Sequence, residues 1–268
     1  MDRVKQGNPY FKVAATALIG AAILMFLLLP GSPFRAESWR VLAERFQQNF
    51  IRDHRYMMIL RGLRNTLLIT AGSAILGIVL GLFTSLVRVA FRAGLRIGFL
   101  NQLAGVYVTV IRGTPVMVQL MIWNFTIFGG FRDINIILVA ILGFGVNSGA
   151  YVAEIFRAGI EAVDPGQMEA ARSLGLSYGA GMRKVILPQV LKNSLPVLIN
   201  EFISLLKETS IAGYIAVREL TRAAQDIQTL TVESSQPLIL AALIYLAIVM
   251  TLTGIMARVE RRLRRSER

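Results

Sequence analysis

Two glutamates interrupt an otherwise apolar run. Glu201 and Glu208 lie in the stretch 193–215, seven residues apart, with Lys207 beside the second. Seven residues are close to two helical turns, so on a helix both carboxylates share one face, about 10 Å apart along the axis. Acids stacked in this way can grip a cationic or amino group. The plainer role is pairing, of Glu208 with Lys207 or with an arginine of a neighbouring helix. An ionisable side chain in such a run is costly and marks a functional site by default. Three further places carry the same kind of signal. Arg112 is followed by Gly113-Thr114-Pro115, a helix break whose freed backbone amides can bind an anion such as a carboxylate. Asn147, beside Ser148, is polar within an apolar segment and either lines a pathway or bridges helices. Glu154 and Arg157 flank the end of that segment and suit structural ion pairing between helices or support of the following loop, with a pathway role as the alternative.

Bond-making chemistry is poorly provided for. The chain has no cysteine, which removes thiolate metal sites, iron–sulfur clusters and cysteine nucleophiles. Its one histidine, His54, sits among Arg52 and Arg55 and reads as a solvated surface residue. No catalytic residue and no metal site are expected. No lysine follows a glycine, so the phosphate-cradling P-loop is absent. Any ATP must be bound by another chain, and no cofactor is expected on this one.

The elements that position these residues belong in a bilayer. Of 268 residues, 54% are hydrophobic and 17% charged, with a mean hydropathy of +0.57. Soluble domains carry about 25% charge. The net charge, 29 − 16 = +13, would suggest nucleic acid in a soluble chain. Here the arginines cluster beside apolar runs, where they hold membrane helices on the cytoplasmic side. Six apolar segments stand out, at 13–29, 66–87, 97–131 (interrupted at Arg112–Pro115), 134–156, 193–215 and 237–256. The expected fold class is therefore all-α, a polytopic membrane protein of about six transmembrane helices. The first segment reads as an uncleaved helix. Between 30 and 64 the chain is Arg-rich, with Trp39, Val41, Leu42, Phe46, Phe50 and Ile51 at roughly helical spacing, an amphipathic helix at an interface or packed outside the membrane. Basic stretches at 88–96, 157–192 and 258–268 fall on one side of a six-span layout, which the positive-inside rule makes the cytoplasm. The arginines between 35 and 64 dissent.

The loop 163–188 is the most informative segment. Asp164 is a candidate N-cap with Pro165 at the first helical position. Gly175 fits a left-handed stop. Ser177 caps a second short helix expected to end before Pro188. The product is helix–glycine–helix, and Met168, Ala171, Leu174 and Leu176 offer an apolar face to a partner groove or to lipid.

Glu169-Ala170-Ala171, three residues, Gly175, nine residues and then Val185-Ile186-Leu187-Pro188 resembles the EAA loop of ABC importer permeases, with Val185 in place of isoleucine. Further phrases resemble the polar amino-acid (histidine/glutamine/arginine-type) uptake permeases. They are Arg61 to Leu67, Ile111 to Pro115 with Gln119, Ala150 to Arg157, and Lys207 to Ser210. The resemblance implies a five-helix permease core at 61–258, with a coupling loop at about 159–190. An added N-terminal segment at 1–60 and a basic tail at 259–268 flank that core. It implies that Glu169, Ala170, Ala171, Gly175, Val185, Leu187 and Pro188 engage an ATPase. It also implies that Glu201 and Glu208 belong to a substrate pocket, for which Arg112 and Asn147 are candidates from their own chemistry. The implied partners are an ABC ATPase dimer, a second permease subunit (identical or paralogous), an extracytoplasmic amino-acid-binding protein and the lipid bilayer, with no nucleic acid. The implied location is the bacterial cytoplasmic (inner) membrane. Two rival readings are an ion or solute channel and a membrane scaffold, neither coupled to ATP.

Overall fold

The computed structural model describes residues 36–131, 133–233 and 235–265. Every element among them is helical, the arrangement that lets each segment satisfy its own backbone in lipid. The chain divides into two compact units, Met1–Tyr56 and Met57–Arg268. The expected span at 13–29 lies outside the described residues.

In the first unit, α1 (Ala36–Phe46) runs into a π-helical turn (Gln47–Ile51) and a 3-10 turn (Arg52–His54). Asp53 and His54 then adopt φ of 56° and 53°, which ends the helical run. Arg55 closes the turn by donating to the Gln48 carbonyl at 3.0 Å and the Asp53 carboxylate at 2.8 Å. Val41, Phe46 and Ile51 are exposed and Phe50 is buried. The side chains of Trp39 and Leu42 lie outside the described ones. His54 is exposed, edge-on to Tyr56.

All but the first residue of α2 (Tyr56–Arg92), 37 residues long, belongs to the second unit. It starts well before the expected span at 66, because residues beyond the apolar run are used for docking. Asn65 donates to the Arg218 carbonyl at 2.9 Å, and the Thr66 hydroxyl accepts from the Leu220 amide at 3.1 Å. The expected interfacial segment to 64 is thus partly the first turns of this helix. Next come α3 (Gly98–Gly113), α4 (Val116–Met121) continuing as a π turn (Ile122–Ile127), and α5 (Ile136–Glu161). A helical hairpin follows, α6 (Pro165–Ser173) and α7 (Tyr178–Gly181). A second π turn (Met182–Ile186) leads into α8 (Leu187–Glu208), a 3-10 turn (Thr209–Ile215), α9 (Leu220–Thr231) and α10 (Gln236–Arg265).

Three described helices, α2, α5 and α10, are long and apolar enough to cross a membrane, or four spans if the bent α3/α4 pair is one. At 22 residues α8 has the length, but Lys192, Glu201, Lys207 and Glu208 dilute its apolar character. The expected six is therefore not reached by length and composition among the described residues.

Helix α5 is the centre of this unit. Of its apolar window 61% is buried, against 6% for α10. Ser73 and Ser85 of α2 donate to the carbonyls of Ile141 and Ala153, so α2 and α5 run parallel. Contacts from Ser148 to Glu201 and from Gly159 to Ser194 make α8 antiparallel to α5. A Cβ on Gly159 would lie 2.2 Å from the Ser194 hydroxyl, which is why the two helices can close there. The core joining these helices is Ile69, Leu120, Ala140, Phe144, Leu205 and Ile215.

Candidate functional site

The break after Arg112 is real and its chemistry is explicit. Thr114 and Pro115 are extended, and the two helical pieces meet at 107°. Proline lacks an amide hydrogen and pushes the residue before it out of the α region, so carbonyls at the end of α3 lose their partners. Gln119 replaces them. Its amide nitrogen donates to the Ile111 carbonyl (2.7 Å), the Thr114 carbonyl (3.0 Å) and the Thr114 hydroxyl (2.8 Å). Asn147 then donates to the Gln119 amide oxygen at 3.0 Å. The expected substrate residue Asn147 is thus buried as a brace between the broken helix and α5.

One residue further along α5, the Ser148 hydroxyl donates to Glu201 at 3.1 Å. Glu201 therefore stands level with Asn147 and the break, in a polar layer crossing α4, α5 and α8. Arg112 reaches the same stripe of α5. It lies over the Tyr151 ring, 5.4 Å from the centroid, and 3.6 Å from the Glu154 carboxylate. Residues 147, 151 and 154 follow one helical face, spaced by four and three. Glu154 and Arg157, expected to pair between helices or to support the loop, pair with each other along α5, two-pronged at 2.5 and 2.8 Å. The structure brings Asn147 and Glu201 to one level of α5 through Gln119 and Ser148, and places the Arg112 guanidinium further along the same helix, over Tyr151 and beside Glu154. Glu208 lies two turns away at the end of α8, half-buried, and does not join the layer.

The hairpin follows its local signals closely. Asp164 accepts from the Gly166 amide at 2.8 Å, with Pro165 opening α6. Gly175 has φ +83°. Its amide bonds the Arg172 carbonyl, and the Leu176 amide bonds the Ala171 carbonyl, the paired closure of a Schellman stop. Ser177 caps α7 through the Ala180 amide. Two expectations are corrected. The second helix does not end before Pro188. It passes through the π turn into α8, and Pro188 follows that turn directly. The Gln189 side-chain amide donates to the Val185 carbonyl at 3.0 Å. Nor does Ala171 face outward. It is buried, and with the half-buried Met168 it packs against Gly181 inside the hairpin. The surface that α6 presents is Glu169, Ala170, Arg172 and Leu174, the last 84% exposed. Leu187 and Pro188 are exposed, and Val185 is half-buried at the hairpin base.

The sequence reading missed Glu219. It is fully buried and caps α9, accepting from the Thr221 and Arg222 amides at 2.6 and 2.7 Å and from the Tyr245 hydroxyl at 3.2 Å. Glutamate is not a favoured cap; the only clue was the unexplained phrase Arg61 to Leu67, which docks here. Beside this cluster a groove of about 410 Å³ opens between α8, α9 and α10, with Lys207 and Ser210 on one lip and Tyr245 on the other. Among the described residues no three His, Asp or Glu side chains converge to hold a metal ion.

Residues 77–265 match the family model of the binding-protein-dependent transport system inner membrane component. The chain belongs to that family. It is the permease component of an ABC transport system, built as a multi-pass helical membrane protein, and the channel and scaffold readings give way. The arginine transport system permease protein ArtQ of Bacillus subtilis (strain 168) is 42% identical over 212 residues, 78% of this chain and 94% of the relative. A putative glutamine transport system permease protein GlnP of Rickettsia typhi is 34% identical over 208 residues, 77% of this chain and 93% of the relative. Among solved structures, an amino acid ABC transporter matches with a TM-score of 0.73 and 40% identity over 80% of this chain and 98% of the other. The inward-facing MetNI methionine ABC transporter shares the fold, with a TM-score of 0.63 at 21% identity over 78% of this chain and 97% of the other.

Proposed function

We propose that this permease imports polar amino acids across the bacterial cytoplasmic membrane and is driven through the 163–188 hairpin by a separate ATPase dimer. The observation that carries the coupling role is the hairpin itself. A glycine-stopped α6 presents Glu169, Ala170 and Leu174 outward, while Val163, Ile186 and Val190 pack its base against Val152 and Phe156 of α5. A push on α6 is then delivered to the end of α5 rather than lost in a loose loop. Helix α8 completes the membrane core. A second permease, identical or paralogous, closes the pathway, and an extracytoplasmic amino-acid-binding protein delivers cargo. ATP is bound by the partner, and this chain holds no cofactor and performs no bond chemistry.

The cargo site is the polar layer. Glu201 supplies a carboxylate for an amino or cationic group, Arg112 a guanidinium for a carboxylate, and Asn147 holds the broken helix between them. Glu208, two turns on, marks the approach along α8. Relatives named for arginine and glutamine transport support the substrate class. Binding to one conformation more tightly than the other shifts the population between inward and outward states.

Purification of the tagged chain from native membranes under mild detergent, with mass spectrometry of co-purifying proteins, tests the coupling role. A stoichiometric P-loop ATPase is expected, and it is lost when Glu169, Ala170 and Leu174 are replaced together by lysine. An ATPase retained at full stoichiometry by that variant would remove the hairpin from the interface.

A further inference from the structure

Five charged side chains form one continuous ladder across three helices. Arg92, the last residue of α2, pairs with Glu161 at 2.9 Å, and Glu161, the last residue of α5, pairs with Arg157. Arg157 grips Glu154 with two hydrogen bonds. Glu154 in turn reaches Arg112 at 3.6 Å. Arg88 lines the same crevice beside Arg92 and Arg157.

The contacts are unequal. Arg157 and Glu154 are three residues apart on one helix and meet through both prongs, so Glu154 is fixed relative to α5. The Arg112 contact is single, longer, and made to another element at the edge of the helix break. The ladder spans the distance between the hairpin and the cargo layer. Glu161 precedes α6 by the short link 162–164, whose Val163 is packed into the hairpin base. Arg112 precedes the break that Gln119 ties to Asn147. The Arg112–Glu154 contact, at 3.6 Å, is the longest rung of the ladder, which suits it to rearranging.

We propose that Glu154 is a positioning residue for transport: pinned by Arg157, it holds Arg112 at the broken helix in the resting state, and the Glu154–Arg112 contact opens when the hairpin moves the end of α5. The inference rests on the importer reading and adds to it the path from hairpin to cargo layer.

The test uses the complete transporter, with its ATPase and binding protein, in proteoliposomes, with L-arginine and L-glutamine as cargo probes. ATPase rates are read without binding protein and with cargo-loaded binding protein. E154Q should assemble normally and raise the unstimulated rate at least threefold, with a matching loss of stimulation. The swap E154R/R157E keeps an ion pair within α5 but sets a cation against Arg112 and an acid against Glu161, and should stay uncoupled. The loss of stimulation separates positioning from bracing, since a brace would alter assembly and not the ratio of the two rates. A wild-type rate in E154Q, or full repair by the swap alone, would overturn the proposal. So would loss of the ATPase subunit from E154Q, which would make the ladder a brace. A wild-type complex that ignores loaded binding protein for both probes would instead sink the importer reading.

Discussion

Replacing Gly175 isolates one physical requirement of the hairpin. The residue sits at φ +83°, and a Cβ built on it meets nothing within 4 Å. The cost of a side chain is therefore backbone strain and not collision. A left-handed conformation costs an ordinary L-residue about 1–2 kcal/mol, with β-branched residues at the upper end and asparagine well below it. That range corresponds to about a 5- to 30-fold loss of the closed geometry. In that geometry the Gly175 and Leu176 amides satisfy the Arg172 and Ala171 carbonyls. The expected order of retained function is Gly175→Asn above Gly175→Ala above Gly175→Val. The assay is the amount of ATPase held by each variant at matched membrane abundance, alongside ATP-dependent uptake. Wild-type uptake by Gly175→Val would refute the reasoning outright. Asparagine as damaging as valine would show that a partner contact, and not φ, selects glycine here.

Gln119→Leu should destabilise the chain, because it strips donors from Ile111 and Thr114 and orphans the buried Asn147 amide, at about 1–3 kcal/mol per buried group; an unchanged thermal midpoint in detergent would mean the break is satisfied in another way. Gly159→Ala should cost about 1–3 kcal/mol by overpacking, and adding Ser194→Ala should recover part of it, since the clashing atom is the Ser194 hydroxyl. No recovery would show that the α5–α8 separation is set elsewhere. Glu201→Gln still accepts the Ser148 bond, so assembly and thermal midpoint should hold while uptake rate or substrate profile changes; an unchanged profile and rate would remove Glu201 from the cargo site.

What could be read from the sequence was local. Asp164, Pro165, Gly175 and Ser177 act on amides within three residues of themselves, so their types announce their roles. Arg112–Pro115 announced a break. Meetings between distant segments were not legible. Nothing in the sequence says that Gln119 turns back onto Ile111 while holding Asn147, or that Ser148 meets Glu201 across 53 positions. The same limit hid Glu219, whose partners lie on α9 and α10, with α2 docking alongside. Pro188 was misread because proline both ends helices and opens them; the π turn before it decides which. Ala171 was assigned outward because periodicity gives a face but not what covers it.

ATP-dependent uptake of L-arginine and L-glutamine by proteoliposomes containing this chain, its ATPase and its binding protein is the most direct test of the importer mechanism. The expected result is accumulation of at least one of them against its gradient. That accumulation should require ATP on the hairpin side and loaded binding protein on the other. Downhill flux of either amino acid without ATP, at a rate the ATPase does not alter, would contradict it.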